Sequence, residues 1–230
     1  MLFNLLFNAG NLSITEIIQT LMFSACAIIF ALSIHEFSHA LTSYLMGDST
    51  AKSQGRISLN PFKHLDPMGT VMLLLFGFGW ASPVIINPSR FKNPRVGMIV
   101  TAAAGPFSNF VCSFIGFFIY YILVIQNMKN PDSVIISNAM MFVQYFTIFN
   151  ASLGIFNLFP IPPLDGSKIL AGFLPDKLRY KYLALERYSM YFFIGFIVIL
   201  NSMDLLSWLI SRLFNFFEMI FMPILQNWFL

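Results

Sequence analysis

A long apolar run between residues 17 and 46 limits what this chain can fold into more than any other feature. It contains one carboxylate, Glu36, and no Lys or Arg. A helix rises about 1.5 Å per residue, so the run is long enough to cross a hydrocarbon core of roughly 30 Å. Ser13 and Glu16 have the spacing of a capping box at its start, and Gly47 suits the position after its end. The pattern predicts a membrane-spanning helix.

The rest of the chain is equally apolar. Of its 230 residues 57% are hydrophobic and 10% charged, against roughly 25% charged in soluble domains. A soluble protein of this size could not cover its apolar surface with so few polar residues. The solvent of this chain must therefore be lipid. Four further runs have the composition of spans: 96–126, 134–159, 188–200 and 205–225. We therefore predict an all-α, multi-pass integral membrane protein of the cell membrane, a polytopic helical bundle in lipid.

One partner class and one processing signal are not expected. The net charge is only +3, and no basic tract alternates with aromatic residues, which argues against nucleic acid as a partner. Residues 1–10 are apolar but contain no Lys or Arg, so they lack the positive segment of a cleaved signal peptide. We expect one domain over 1–230, with its core at 17–187 and one or two extra helices at 188–230.

The segment 68–86 has two interpretations. Basic loops flank it, and basic residues in short loops mark the cytoplasmic side. A segment with both ends on one side would be irregular or β-like, would enter the membrane and return, and would reverse near Gly77–Trp80. An ordinary short span is the alternative. Residues 48–67, 88–95 and 176–187 are all predicted to face the cytoplasm, which places 127–132 and the N-terminus outside.

The sequence HEFSH at 35–39 carries the chemistry. His35 and His39 are one helical turn apart and can bind the same metal ion, while Glu36 can reach a metal-bound water as a general base. Ionisable residues inside a membrane helix are costly and are usually functional. The structural alternative is a polar cluster that holds helices together.

Catalytic zinc needs a third protein ligand and an open fourth position. Asp165 is the favoured candidate, because it lies in a proline-rich break after a long apolar run and precedes Gly166. Its alternative role is an ordinary turn aspartate. His64 is the second candidate, but its loop should be exposed to water, which places it outside the metal site.

These motifs together resemble the site-2 protease family of intramembrane zinc metalloproteases, peptidase family M50. The family combines H-E-x-x-H with Asn-x-x-Pro-x-x-x-Leu-Asp-Gly, and NLFPIPPLDG at 157–166 fits in register. The stretch at 105–109, GPFSN, is similar to the family's Gly-Pro-x-Ser-Asn element. The stretch GFGWASP at 77–83 is similar to its Gly-Trp-Ala-x-Pro element. The resemblance covers about residues 17–187.

The resemblance implies a core of three membrane helices and one zinc ion per chain, held by His35, His39 and Asp165. It assigns the general base to Glu36 and the positioning of the substrate carbonyl to Asn157. The implied substrates are membrane-anchored proteins, such as transcription or anti-sigma factors, cut after an earlier cleavage. Many members also carry a PDZ domain or a CBS pair, which we do not expect here. Two other functions stay open: a membrane metal-ion or proton transporter, and a catalytically inactive homologue.

Overall fold

The computed structural model describes residues 13–76 and 79–229. The N-terminal stretch 1–10 therefore lies outside the described residues, and so do residues 77 and 78 of the reversal expected at 77–80. The helices of this part are, in chain order, α1 (Ile14–Leu45), α2 (Thr50–Ser53), α3 (Pro67–Phe76), α4 (Pro94–Lys129), α5 (Val134–Asn157), α6 (Asp165–Phe173), α7 (Asp176–Leu183), α8 (Ser189–Met203) and α9 (Leu205–Phe229).

In the described part of the chain, five helical stretches are long and apolar enough to cross a membrane. They are α1, α4, α5, the combined stretch Asp176–Leu200 and the first part of α9, Leu205–Pro223. The expected multi-pass, all-α membrane protein is confirmed. The capping box at Ser13 and Glu16 is present, and Gly47 adopts a positive φ of 114° after α1. Helix α4 continues without a break through Pro106.

Helices α1, α4 and α5 pack together as the centre of the bundle. Small residues allow their close approach: a Cβ on Gly116 of α4 would lie 2.5 Å from Thr147 Oγ1 of α5. Ser113 Oγ donates to the Thr147 carbonyl across the same interface, at 3.0 Å. Interfaces of this kind suit lipid, where packing and hydrogen bonds rather than the hydrophobic effect hold helices together. Aromatic residues of α9 pack on the outer side of α4, around Phe117 and Phe217.

The segment that follows the first loop is only partly irregular. Residues 67–76 form α3, so the expectation of irregular or β-like backbone is wrong for this half. Residues 79–86 are irregular, as expected, and the described residues form no β-strand, only an isolated bridge between Leu65 and Ala81. Ser82 N–H also donates to the His64 carbonyl at 2.7 Å. Residues 81 and 82 therefore lie beside residues 64 and 65, which precede α3. Helix α3 alone is too short to cross a bilayer.

The buried side chain of Asp48 anchors the irregular stretch after residue 78 to the end of α1, through Asn87. Its carboxylate accepts from Asn87 N–H at 2.6 Å and from Thr50 N–H at 2.9 Å. Burial alone would raise the pKa of Asp48, but these hydrogen bonds, the Thr50 hydroxyl and the nearby Arg90 lower it below its ordinary value. The carboxylate is therefore ionised near neutral pH, and the contribution of the anchor would be lost only in acid, as the pH falls through the depressed pKa.

Candidate metal centre

Helix α1 presents His35 and His39 to the interior of the three-helix core. Both side chains are buried, with 5% and 6% of their surface exposed. Their rings meet edge to face, with centroids 4.6 Å apart. This arrangement follows from the four-residue spacing, which places both rings on one face of the helix.

Asp165 is the first residue of α6, directly after the proline-rich break. Only 7% of its surface is exposed. The turn before α6 is tight, because a Cβ on Gly166 would collide with the backbone of Leu158 and Phe159. Glycine is therefore needed next to Asp165 for the chain to fold back. The start of a helix is also a favourable place for a carboxylate, since the helix dipole is positive there.

Three acceptor atoms converge at this point. His35 Nε2 and His39 Nε2 are each 3.1 Å from Asp165 Oδ2 and 3.0 Å from each other. Within residues 13–76 and 79–229, no other group of His, Cys, Asp and Glu side chains meets in this way. The structure thus brings the two histidines of the motif together with the favoured third candidate, Asp165.

The hydrogen-bond partners of the two Nδ1 atoms determine whether the converging Nε2 atoms carry protons. His39 Nδ1 lies 2.7 Å from the Thr101 carbonyl, which can only accept a hydrogen bond. His35 Nδ1 lies 2.6 Å from Asn109 Oδ1. In neutral imidazoles the Nδ1 atoms are then the donors, so both Nε2 atoms carry bare lone pairs.

Two lone pairs and a carboxylate oxygen at 3.0–3.1 Å repel one another unless a cation lies between them. Two imidazole nitrogens and one carboxylate oxygen form a ligand set of catalytic zinc sites, and partners on the second ring nitrogens are typical of zinc-bound histidines. The side chains therefore fit a zinc ion.

A cavity of about 150 Å³ opens onto these atoms. Glu36, Val84, Asn157 and Lys168 are among its lining residues. Glu36 Oε2 accepts a hydrogen bond from Val84 N–H at 3.0 Å, so the irregular stretch after residue 78 orients this carboxylate. The cavity thus places an oriented carboxylate, an amide and an amine around the candidate metal site.

Asn157 lies at the end of α5, and its amide nitrogen donates to the Leu153 carbonyl one turn earlier, at 3.1 Å. An amide has a second N–H, so this bond does not use up its donors. Asn157 lines the cavity, and its role in catalysis stays a prediction.

His64 is outside the cluster, as expected, but the reason given from sequence is wrong. Its side chain is fully buried, and its Nε2 lies 2.7 Å from the Ser58 carbonyl. The loop folds over the ring because Arg56 bonds back to the Lys63 and Ser82 carbonyls.

Sequence reasoning missed several residues that touch the site. Lys168 Nζ lies 3.7 Å from Asp165 Oδ1, and a Cβ on Gly105 would lie 2.5 Å from His39 Nε2. Gly105 and Asn109 were visible as one motif with helical spacing, which could have indicated a common face toward the histidines. The Val84 contact uses a backbone N–H, for which the side-chain pattern holds no signal.

Comparison with known proteins supports the same class. A sequence model described as "Peptidase family M50" matches residues 122–201. A Bacillus subtilis protein named "Putative zinc metalloprotease YwhC" is 38% identical over 205 residues, which cover 86% of this chain and 92% of that protein. "Putative zinc metalloprotease Rip2" of Mycolicibacterium smegmatis is 26% identical over 83% of this chain and 71% of its own length. "Zinc metalloprotease RasP" of Oceanobacillus iheyensis is 33% identical over 36% of this chain and 20% of its own length. No solved structure matches significantly.

This chain belongs to peptidase family M50, the site-2 protease family of intramembrane zinc metalloproteases. The expected class, a membrane metalloprotease that uses zinc, is confirmed. The transporter alternative is not favoured.

Proposed function

We propose that this protein hydrolyses peptide bonds of membrane-anchored protein substrates within the cell membrane. His35, His39 and Asp165 hold one zinc ion per chain in this proposal, and Glu36 is the general base. The observation that carries it is the convergence of three buried acceptor atoms within 3.1 Å, beside an oriented glutamate, in the middle of a membrane helix bundle. Residues 1–230 act as one protease domain, with the site inside the core 17–187.

The chain's own side chains account for the proton transfers. When bound, zinc acts as a Lewis acid and makes a water molecule a nucleophile near neutral pH. Glu36 takes the proton of the attacking water at its carboxylate and gives it to the amine nitrogen as the C–N bond breaks. Val84 N–H holds that carboxylate in place through both transfers. Asn157 donates an N–H to the substrate carbonyl oxygen, where negative charge develops.

The cavity also limits the form in which a substrate can bind. A helix with its side chains is about 10–12 Å wide, which a volume of about 150 Å³ does not admit. The helix of a membrane-anchored substrate must unwind locally, which also frees the backbone carbonyl for attack. We further propose that the segment near 68–86 re-enters the membrane, and that its irregular part after residue 78 lies beside the unwound substrate.

Removal of a ligand tests the metal centre. Purified wild-type chain should contain about one zinc ion, and Asp165→Ala should retain less than about a tenth of that, because two histidines alone bind zinc weakly. Metal analysis after dialysis against a weak chelator measures this. Asp132→Ala, in the exposed turn before α5, is the control. Wild-type zinc content in the Asp165 variant would reject the ligand set.

Asn157→Ala separates a catalytic amide from a structural one. If Asn157 donates to the reacting carbonyl, its loss should lower the cleavage rate about a hundredfold or more, with expression and zinc content near normal. A purely structural amide would contribute only about 0.6 kcal/mol on average in a membrane protein. Asn157→Leu fills the space without a donor and should be equally inactive. Near-normal cleavage by the Ala variant would leave Asn157 a structural residue.

The orientation in the membrane follows from the basic loops, which lie together in the fold. Lys92 N–H donates to the Met46 carbonyl, and Arg95 forms a salt bridge with Asp176 at 2.6 Å. The loops 48–67, 88–95 and 176–187 thus meet at one end of the bundle, and we assign that end to the cytoplasm.

Cysteine labelling tests this orientation. Single cysteines at Lys63 and Lys129, in a background without Cys26 and Cys112, should react with impermeant reagents from opposite sides of intact cells or inverted vesicles. Labelling of both from the same side would reject the arrangement.

A further inference from the structure

Two asparagine side chains form a hydrogen-bonded chain on the Nδ1 side of His35. Asn109 Oδ1 lies 2.6 Å from His35 Nδ1, and Asn109 Nδ2 donates to the Ala31 carbonyl and to Asn150 Oδ1. Asn150 Nδ2 then donates to the Phe146 carbonyl at 2.8 Å. Both amides are completely buried. The chain links α1, α4 and α5 at the level of the metal centre.

The direction of each hydrogen bond in this chain is determined by its ends. The Phe146 carbonyl can only accept, so the Asn150 amide turns its nitrogen there and its oxygen toward Asn109. The Ala31 carbonyl is likewise only an acceptor and holds the Asn109 nitrogen on its side.

The oxygen of Asn109 is then left to face His35, whose Nδ1 must donate to it. The Nε2 lone pair of His35 consequently points toward His39 and Asp165.

We propose that Asn109 and Asn150 are positioning residues that fix the tautomer and ring orientation of His35 for metal binding. The inference rests on the proposed zinc site and explains what orients the His35 ring in it. Thr101 performs the same task for His39 directly, through its backbone carbonyl. For His35 the acceptor is a side chain, which can rotate, and the second amide prevents that rotation. Mutation of hydrogen-bond partners of this kind typically lowers metal affinity or activity 10–100-fold.

A matched control exists on the same pair of helices. Ser113 and Thr147 lie one turn further along α4 and one turn back along α5, are also buried, and share a hydrogen bond. This bond joins Ser113 Oγ to the Thr147 carbonyl and involves neither histidine. If the asparagines only held the helices together, loss of the Ser113 hydroxyl should have the same effect as loss of the Asn150 amide.

The experiment measures zinc affinity of the full-length chain in detergent by chelator competition, and thermal unfolding of each metal-free variant. Asn109→Leu removes the acceptor, whereas Asn109→Asp keeps an oxygen facing His35 but loses the donors to Ala31 and Asn150. Asn150→Leu removes only the outer amide, and Ser113→Ala is the control. His35→Ala tests the ligand set itself. The visible spectrum of the Co²⁺-loaded variants reports the ligand geometry.

We expect Asn109→Leu to lower zinc affinity about 10–100-fold and Asn150→Leu about 3–10-fold, with an altered Co²⁺ spectrum. Asn109→Asp should stay within about threefold of wild type even where its unfolding temperature falls. Ser113→Ala should bind zinc as wild type does. In the Asn109→Leu background, Asn150→Leu should cost nothing further, because its effect passes through Asn109.

Three results would overturn the positioning role of the two asparagines. The first is a zinc affinity that follows the unfolding temperature across all variants. The others are equal losses of zinc affinity in Asn109→Asp and Asn109→Leu, or a loss in Ser113→Ala as large as that in Asn150→Leu. Unchanged zinc affinity in His35→Ala would instead reject the proposed ligand set. The two failures are therefore distinguishable.

Discussion

Glu36→Gln is expected to abolish cleavage while bound zinc stays at the wild-type level. The substitution keeps the size of the side chain and an oxygen that can accept the hydrogen bond from Val84 N–H. It removes only the ability to take and return a proton. General acid–base catalysis is worth about 10²–10⁴-fold, and Glu36 serves two proton transfers, so we expect a loss at the upper end, about 10⁴-fold.

Because the natural substrate is not needed in advance, the measurement can be made in cells. Membrane proteomes of cells with the wild-type chain and with Glu36→Gln are compared, and partly processed membrane proteins should accumulate in the variant. Any accumulating protein is then used as the substrate for purified enzyme. Glu186→Gln, the same change at an exposed position, should cleave normally. Cleavage by Glu36→Gln above about a tenth of the wild-type rate, or loss of zinc with activity, would contradict this role.

Gly105→Ala is expected to remove zinc and activity together, although glycine itself has no side chain to offer the site. A Cβ at this position would lie 2.5 Å from His39 Nε2 and 2.6 Å from His35 Cε1. Real contacts are never that short, so the histidines or α4 must move. Ligands must be held within about 0.5 Å of their working geometry. We therefore expect zinc affinity to fall at least about a hundredfold and cleavage to become undetectable.

Two other glycines separate this effect from general damage to helix packing. Gly116→Ala adds a methyl group at the same spacing, 2.5 Å, from Thr147 Oγ1, but away from the histidines. Gly195→Ala, in α8, would meet no atom within 4 Å. The first should lower the unfolding temperature and still bind zinc, and the second should change neither. Equal loss of zinc in Gly105→Ala and Gly116→Ala would show that packing of α4, not contact with the ligands, is responsible.

The error about His64 concerned contacts between distant parts of the chain. His64 was expected in a water-exposed loop, because its neighbours are polar and rich in proline. The fold buries the ring completely, since Arg56 donates a hydrogen bond from the loop to the Ser82 hydroxyl, which follows α3. The helical half of 68–86 was missed for a different, local reason. Gly77, Gly79 and Pro83, which suggested irregular backbone, all come after α3 ends at Phe76.

The apolar spans, the capping of α1 and the pairing of His35 with His39 could be predicted from the sequence. These features depend on hydrophobicity and on the 3.6-residue repeat, which act over a few neighbouring residues. The sequence also favoured Asp165 as the third member of the site, but the folded structure was needed to show that this carboxylate lies beside the histidines and which groups orient them. Asp165 is 130 residues from His35 in sequence, and Asn109 is 74 residues away. Such contacts are set by how α1, α4, α5 and α6 pack, and packing depends on the shapes of all their facing side chains at once.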